Sequence, residues 1–86
     1  MSFKVIIPPK VDKQISALPD KLFKNVSKQI LQLSQNPFPN NSLKLINTDG
    51  YRIRVGDYRI LYDINSKERI ITIHRVAHRK DVYKGK

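Results

Sequence analysis

The chain has 86 residues, of which 40% are hydrophobic and 28% are charged, and it contains no cysteine and two histidines. This length predicts a single domain, residues 1–86, with one small core. The composition excludes disulfides and thiolate metal sites, and nothing approaches the apolar length of a membrane span. The N-terminal apolar run is also too short for a signal peptide. We therefore expect a cytoplasmic protein with no metal and no small-molecule cofactor.

The charge is strongly positive and unevenly distributed. Lysine and arginine number 17 against 7 acidic residues, which gives a net charge of +10. Residues 1–50 hold seven lysines and no arginine, whereas residues 51–86 hold all six arginines. The planar fork of arginine suits bidentate contact with phosphate or carboxylate groups. The second half of the chain is therefore predicted to carry a surface that binds a polyanion.

The first half predicts one strand and two helices. Residues 3–7, FKVII, form an apolar β-branched strand that Pro8 and Pro9 end. Apolar residues then recur at helical spacing over residues 11–18, and Pro19 ends that helix. Asp20 is predicted to cap a second helix over residues 20–36, whose apolar residues form one stripe. The Pro- and Asn-rich stretch that follows is predicted to be a loop.

The second half predicts three strands. Residues 51–55 and 58–64 alternate apolar and polar residues on either side of Gly56-Asp57, which is the pattern of a β-hairpin with a two-residue turn. A further turn at residues 65–68 leads to a third strand, residues 69–77. The order β-α-α-β-β-β predicts an α+β fold in which the two helices cover one face of an antiparallel sheet.

The hairpin turn also predicts which residues share a face. A two-residue turn pairs Arg54 with Arg59 and Arg52 with Leu61, so the three arginines lie together on one face while the apolar residues pack under the helices. Asp63 is the one acidic residue on that face. A solvated charged face is the simpler explanation, but a surface that serves solubility alone would mix the two signs of charge. We therefore expect a binding face.

Three segments together resemble the RelE/ParE superfamily of toxins from type II toxin-antitoxin systems. They are Leu-Lys-Leu at residues 43–45, GYRIRVGDYRI at residues 50–60 and VAHRKDVY at residues 76–83. The resemblance implies the fold predicted above and an acidic antitoxin as partner. RelE-like members cut messenger RNA in the ribosomal A site and so inhibit translation, whereas ParE-like members poison DNA gyrase. The ending HRKDVY is more similar to the ribonuclease branch.

Cleavage of RNA without a metal needs a base for the ribose 2′-hydroxyl, cations for the charged transition state and an acid for the leaving oxygen. Arginine suits the second task, and histidine can serve as acid or base near neutral pH. A tyrosine can donate a hydrogen bond or stack on a base. The predicted catalytic residues are Arg59, His78, Arg79 and Tyr83. The residues predicted to bind and orient the RNA backbone are Lys44, Arg52, Arg54 and Lys80.

Several alternatives stay open at this point. His78 could be an ordinary surface histidine, and Tyr83 could anchor the end of the chain by hydrophobic packing. The basic face could bind an acidic protein surface, as a gyrase inhibitor would, or it could bind nucleic acid without cleaving it. The sequence leaves the general acid and the general base unassigned.

Overall fold

The computed structural model describes residues 2–45 and 50–81, in which two helices pack on a five-stranded sheet. The elements are β1 (Lys4–Ile6), α1 (Pro9–Ser16), α2 (Asp20–Leu33), β2 (Ser42–Lys44), β3 (Tyr51–Val55), β4 (Tyr58–Asn65) and β5 (Ile70–His78). The predicted α+β fold is confirmed. The strand β2 was not predicted, because three residues are too few to show an alternating pattern.

The strand order in the sheet is β1-β5-β4-β3-β2. β1 is parallel to β5, and every other neighbouring pair is antiparallel. β1 pairs with only the first part of β5, so the amide of Val76 lies beyond the end of β1. That amide donates to the side-chain oxygen of Gln14 in α1 at 2.9 Å. Helix α1 therefore covers the part of the β5 edge that β1 leaves open.

Each helix has a proline at its N-cap position. Pro8 occupies the position before α1, and Pro9 begins the helix, where its missing amide hydrogen is not needed. The prediction that Asp20 caps α2 was wrong, because Pro19 takes the cap position and Asp20 is the first helical residue. There its carboxylate still interacts favourably with the positive end of the helix dipole. α2 ends at Leu33, three residues before the predicted end.

The core lies between the helices and one face of the sheet. Its most deeply buried members come from both helices and from the three central strands: Val11, Val26, Leu33, Ile53, Ile60, Tyr62, Ile71 and Ile73. These residues alternate along β3 and β4 as the sequence predicted, so each of those strands contributes one apolar face. No helix within residues 2–45 and 50–81 has the length and apolar character needed to cross a membrane.

Tyr62 ties the loop after α2 to the sheet. Its hydroxyl donates to the backbone carbonyl of Pro37 at 2.9 Å, and the tyrosine is fully buried. Burial raises the pKa of Tyr62 to about 12, against a smaller opposing effect from the Ser42 hydroxyl. Phe38 of the same loop packs edge-on against Tyr51, with ring centres 5.3 Å apart. The loop is thereby fixed beside the edge strand β2.

Candidate nucleic-acid interface

The β3–β4 hairpin has the predicted register. Gly56 has a φ of 60°, and a positive φ at the first turn position is what a type II′ turn requires. Arg54 lies opposite Arg59, and Arg52 lies opposite Leu61. Since directly paired residues point to the same side of a sheet, all three arginines project from the face that the helices leave open. We call this side the open face.

β5 adds a fourth arginine to the open face. Leu61 pairs with Arg75, and Arg59 pairs with Ala77. On the other side of the hairpin, Leu43 of β2 pairs with Arg52. The open face therefore carries Arg52, Arg54, Arg59 and Arg75, of which Arg75 was not among the predicted site residues.

A β-bulge in β5 places Arg75 on the open face. Leu61 pairs with Arg75, but the next residue, Tyr62, pairs with Ile73, so His74 is an extra residue in β5. Ile73 and Val76 are both buried although they are three positions apart. Strict alternation from Ile73 would turn Arg75 toward the core. The extra residue shifts the alternation and moves Arg75 to the open face.

The bulge also makes His74 a surface residue paired with Asp63. Nε2 of His74 and Oδ2 of Asp63 are 2.6 Å apart, and each side chain is about half exposed, at 50% and 47%. Asp63, the acidic residue predicted for the open face, thus has a partner within its own chain. No cluster of three metal-ligand side chains occurs within residues 2–45 and 50–81.

Arg59 was predicted to lie on an exposed face, but its side chain is buried. It is 7% exposed, and its Nη1 donates to the carbonyls of Tyr58 at 3.2 Å and Gly56 at 3.5 Å. The residue sits on a central strand directly after the turn, so its side chain can reach back to the turn carbonyls. Its cross-strand neighbour Arg54 is exposed. The two paired charges therefore occupy different surroundings, one buried on the turn carbonyls and the other in solvent.

The segment after β5 runs beside the hairpin turn. The amide of Arg79 donates to the carbonyl of Asp57 at 2.7 Å, which extends the strand pairing past the turn. Nη2 of Arg75 donates to the carbonyl of Asp81 at 3.0 Å and holds this segment. Arg79 and Lys80 are both exposed. Two further predicted cations are thus placed next to the open face.

Two other predicted site residues point to the opposite side of the sheet. His78 pairs with Tyr58, and their rings meet edge to face with centres 5.5 Å apart. Nδ1 of His78 accepts the amide of Lys80 at 3.2 Å. Lys44 pairs with Tyr51, so its side chain also leaves from the helix side. Tyr83, the remaining predicted catalytic residue, lies outside the described residues.

A groove of about 440 Å³ opens on the helix side of the molecule, between α1, α2 and β1. Its walls are mainly apolar and include Val5, Ile7, Ile15, Phe23, Ile30 and Leu31. Leu31 is 71% exposed and Phe23 is 43% exposed. Exposed apolar side chains that adjoin one another in this way are typical of a contact surface. The molecule thus has a charged face and, on the other side of the sheet, an apolar groove.

The chain is similar to known toxins over nearly its whole length. Residues 5–83 match the family described as the ParE toxin of the type II toxin-antitoxin system parDE. Toxin RelE3 of Methanocaldococcus jannaschii is 35% identical over 86 residues, which covers 93% of this chain and 94% of the relative.

Solved structures agree with this relationship. The archaeal RelE-RelB complex from Pyrococcus horikoshii OT3 contains a chain that is 31% identical, with a TM-score of 0.84 over 95% of this chain and 100% of that one. The RelB-RelE antitoxin-toxin complex from Methanococcus jannaschii contains one that is 27% identical, with a TM-score of 0.74 over 91% and 94% of the two chains. The fold, the sequence match and the length all agree, and the chain belongs to the RelE/ParE superfamily of toxins from type II toxin-antitoxin systems.

Proposed function

We propose that this toxin is a metal-independent endoribonuclease that cleaves messenger RNA on the ribosome and thereby inhibits translation. The observation that supports this most strongly is the open face, where Arg52, Arg54, Arg59 and Arg75 come together from three adjacent strands. A sheet face with several arginines attracts a phosphate backbone, and the carboxylate of Asp63 on this face is already paired with His74.

Within this proposal, the exposed cations hold the RNA backbone. Arg54 and Lys80 are solvent-exposed, and Arg52 is partly exposed two positions before Arg54 on β3. Such contacts position the substrate without reading its sequence. Lys44, which leaves from the other side of the edge strand, would contact only RNA that wraps around that edge.

Arg59 and Arg79 are the proposed cations for the transition state. Arg59 is held by turn carbonyls and Arg79 follows directly beside that turn, so both charges lie at the same end of the sheet. A buried guanidinium is screened less by water than an exposed one, and its fixed position needs no reorganisation during the reaction. Arg59 would act through its field and its fixed position.

His78 and Tyr83 remain the proposed groups for proton transfer. His78 lies at the end of β5 near that same turn, although its side chain leaves from the helix side. Because its Nδ1 accepts the Lys80 amide, Nε2 is the nitrogen left for another partner. RNA would have to reach this nitrogen around the end of the sheet.

An acidic antitoxin is the proposed partner. The toxin carries a net charge of +10, and the similar chains from Pyrococcus horikoshii and Methanococcus jannaschii were solved as complexes with RelB. Opposite charge speeds association and selects partners, while apolar contacts contribute most of the affinity. The open face and the apolar groove together offer both kinds of contact.

Toeprinting of a translated message tests the ribonuclease activity. New cleavage positions should appear in the wild-type toxin reaction and only when ribosomes are translating. Arg79→Ala should remove them, and Leu31→Ala, on the far side of the molecule, is the matched control that should keep them. If the wild-type toxin inhibits translation but leaves the toeprint pattern unchanged, the proposal is contradicted.

A second candidate function is inhibition of DNA gyrase, because the matching family is the ParE toxin. In that case the open face would contact an acidic protein surface. A DNA supercoiling assay distinguishes the two functions: the ribonuclease leaves gyrase activity unchanged, whereas a gyrase inhibitor reduces it and leaves the message intact.

A further inference from the structure

Four residues form a strip that crosses the open face at right angles to the strands. Leu43 pairs with Arg52, Arg52 with Leu61, and Leu61 with Arg75. The strip therefore alternates leucine and arginine over four adjacent strands. Along β4, the open-face neighbours of Leu61 are Arg59, two positions before it, and Asp63, two positions after it.

The spacing of the strip suits a nucleic-acid strand. Neighbouring strands lie about 4.8 Å apart, so the backbones of Arg52 and Arg75 are about 10 Å apart with Leu61 midway between them. Single-stranded RNA presents charged phosphates and apolar base faces next to each other. Proteins that bind it combine cations for the phosphates with side chains that lie against the bases.

Leucine is an unusual choice at the centre of a cationic face. Leu61 is partly exposed, and Leu43 in the same strip is 54% exposed. A solvated sheet face normally carries threonine or a charged residue at such positions. One purely structural role would be to support the aliphatic stems of the neighbouring arginines.

We propose that Leu61 is the floor on which one nucleobase of the bound RNA rests, with Arg52 and Arg75 holding phosphates on either side. This assigns a substrate-positioning residue to the open face, and it rests on the proposed function in that RNA must bind there. The strip also sets the path of the RNA, which crosses the strands instead of following the hairpin. Leu43 would receive the next base toward the β2 edge.

A thermodynamic cycle between protein and RNA tests the contact. Wild-type toxin and Leu61→Ala are titrated with a short single-stranded oligoribonucleotide and with copies that each lack one base. Leu61→Ala should weaken binding to the complete RNA about five- to tenfold, the lower end of the range for base stacking. One abasic copy should bind both proteins equally, because the base that Leu61 contacts is already gone.

Two further variants keep the test decisive. Leu61→Phe enlarges the apolar floor, so this variant should bind the complete RNA more tightly than the wild type does. It should bind the abasic copy that lacks the contacted base no more tightly than the wild type does. Leu31→Ala removes an exposed leucine from α2 and should leave the RNA affinity unchanged.

Equal losses on every abasic copy would show that Leu61 only supports the arginines, and no loss on any RNA would also overturn the proposal. Arg52→Ala distinguishes a failure of the Leu61 contact from a failure of the proposed function. If Arg52→Ala leaves the RNA affinity unchanged, the open face does not bind RNA and the proposed function fails. If Arg52→Ala weakens binding but the base dependence of Leu61 is absent, only the present inference fails.

Discussion

The two faces of the β3–β4 hairpin are built from alternate residues of the same strands, yet they have opposite chemistry. On the helix side, Ile53, Ile60 and Tyr62 are fully buried. On the open face, one residue away in each case, the side chains are Arg52, Arg59 and Leu61. Helices cover one face and leave the other free. Stability and substrate binding should therefore be separable by single substitutions one position apart.

The largest effect should come from the buried face. Ile60→Ala removes a fully buried side chain from the central strand and should lower the free energy of unfolding by about 2–5 kcal/mol. Its neighbour Leu61→Ala, on the open face, should cost much less. Urea unfolding of both variants measures the difference, and equal losses would show that the open face is packed like the core.

The next effect concerns the buried hydroxyl of Tyr62. Tyr62→Phe leaves the Pro37 carbonyl without its donor and should cost about 1–3 kcal/mol near neutral pH. The pKa of Tyr62 is raised to about 12 in the folded protein, above the value of 10.0 for the unfolded chain. The neutral phenol therefore stabilises the fold fully below pH 10, and this contribution is lost as the pH rises toward 12.

The phenylalanine variant lacks this titration, so the difference in unfolding free energy between the two proteins should shrink above pH 10. Chemical denaturation at several alkaline pH values checks it. A difference that stays constant up to pH 12 would contradict the assigned cause.

The two paired arginines of the open face, Arg54 and Arg59, should respond differently to substitution. Arg54→Ala removes an exposed charge and should change stability by less than about 0.5 kcal/mol while weakening RNA binding. The slope of log affinity against log salt should fall in magnitude by about 0.7, the value for one contact with single-stranded nucleic acid.

Arg59→Ala should in addition destabilise the fold, because that guanidinium is buried on the turn carbonyls. Equal stability of the two variants would show that those hydrogen bonds contribute little.

A small effect should also come from the ion pair at the bulge. Asp63 and His74 are both about half exposed, so Asp63→Asn should change the free energy of unfolding by no more than about 1 kcal/mol. It should also strengthen RNA binding, because it removes the negative charge from the open face. Weaker binding by this variant would indicate that the carboxylate itself contacts the substrate.

Much of the architecture was predictable because it depends on local patterns. The Gly56-Asp57 turn predicted the hairpin register, and the register predicted that Arg52, Arg54 and Arg59 share a face. The helices followed from apolar spacing and prolines. Their ends were less accurate: Asp20 was expected to be the cap where Pro19 is, since proline can precede a helix as readily as it ends one.

The site was predicted less completely than the fold. Arg75 could not be placed on the open face from the sequence, because a β-bulge has no sequence pattern of its own and strict alternation along β5 would turn Arg75 toward the core. The edge strand β2 was missed because its stability comes from pairing with β3. His78 and Lys44 were chosen by residue type, and only the pairing of their strands shows that they leave from the helix side.

The charge, the helices, the tight turn and the alternation along β3 and β4 follow from the sequence alone, because these depend on residues close together in the chain. The tertiary structure decided which arginines meet, which of them is buried and what shares their surface. Arg59 shows the difference: its face was set by the distance to the turn, but its burial depends on the carbonyls and strands that folding places around it. Solvent exposure is a property of the packed molecule, and no local pattern contains it.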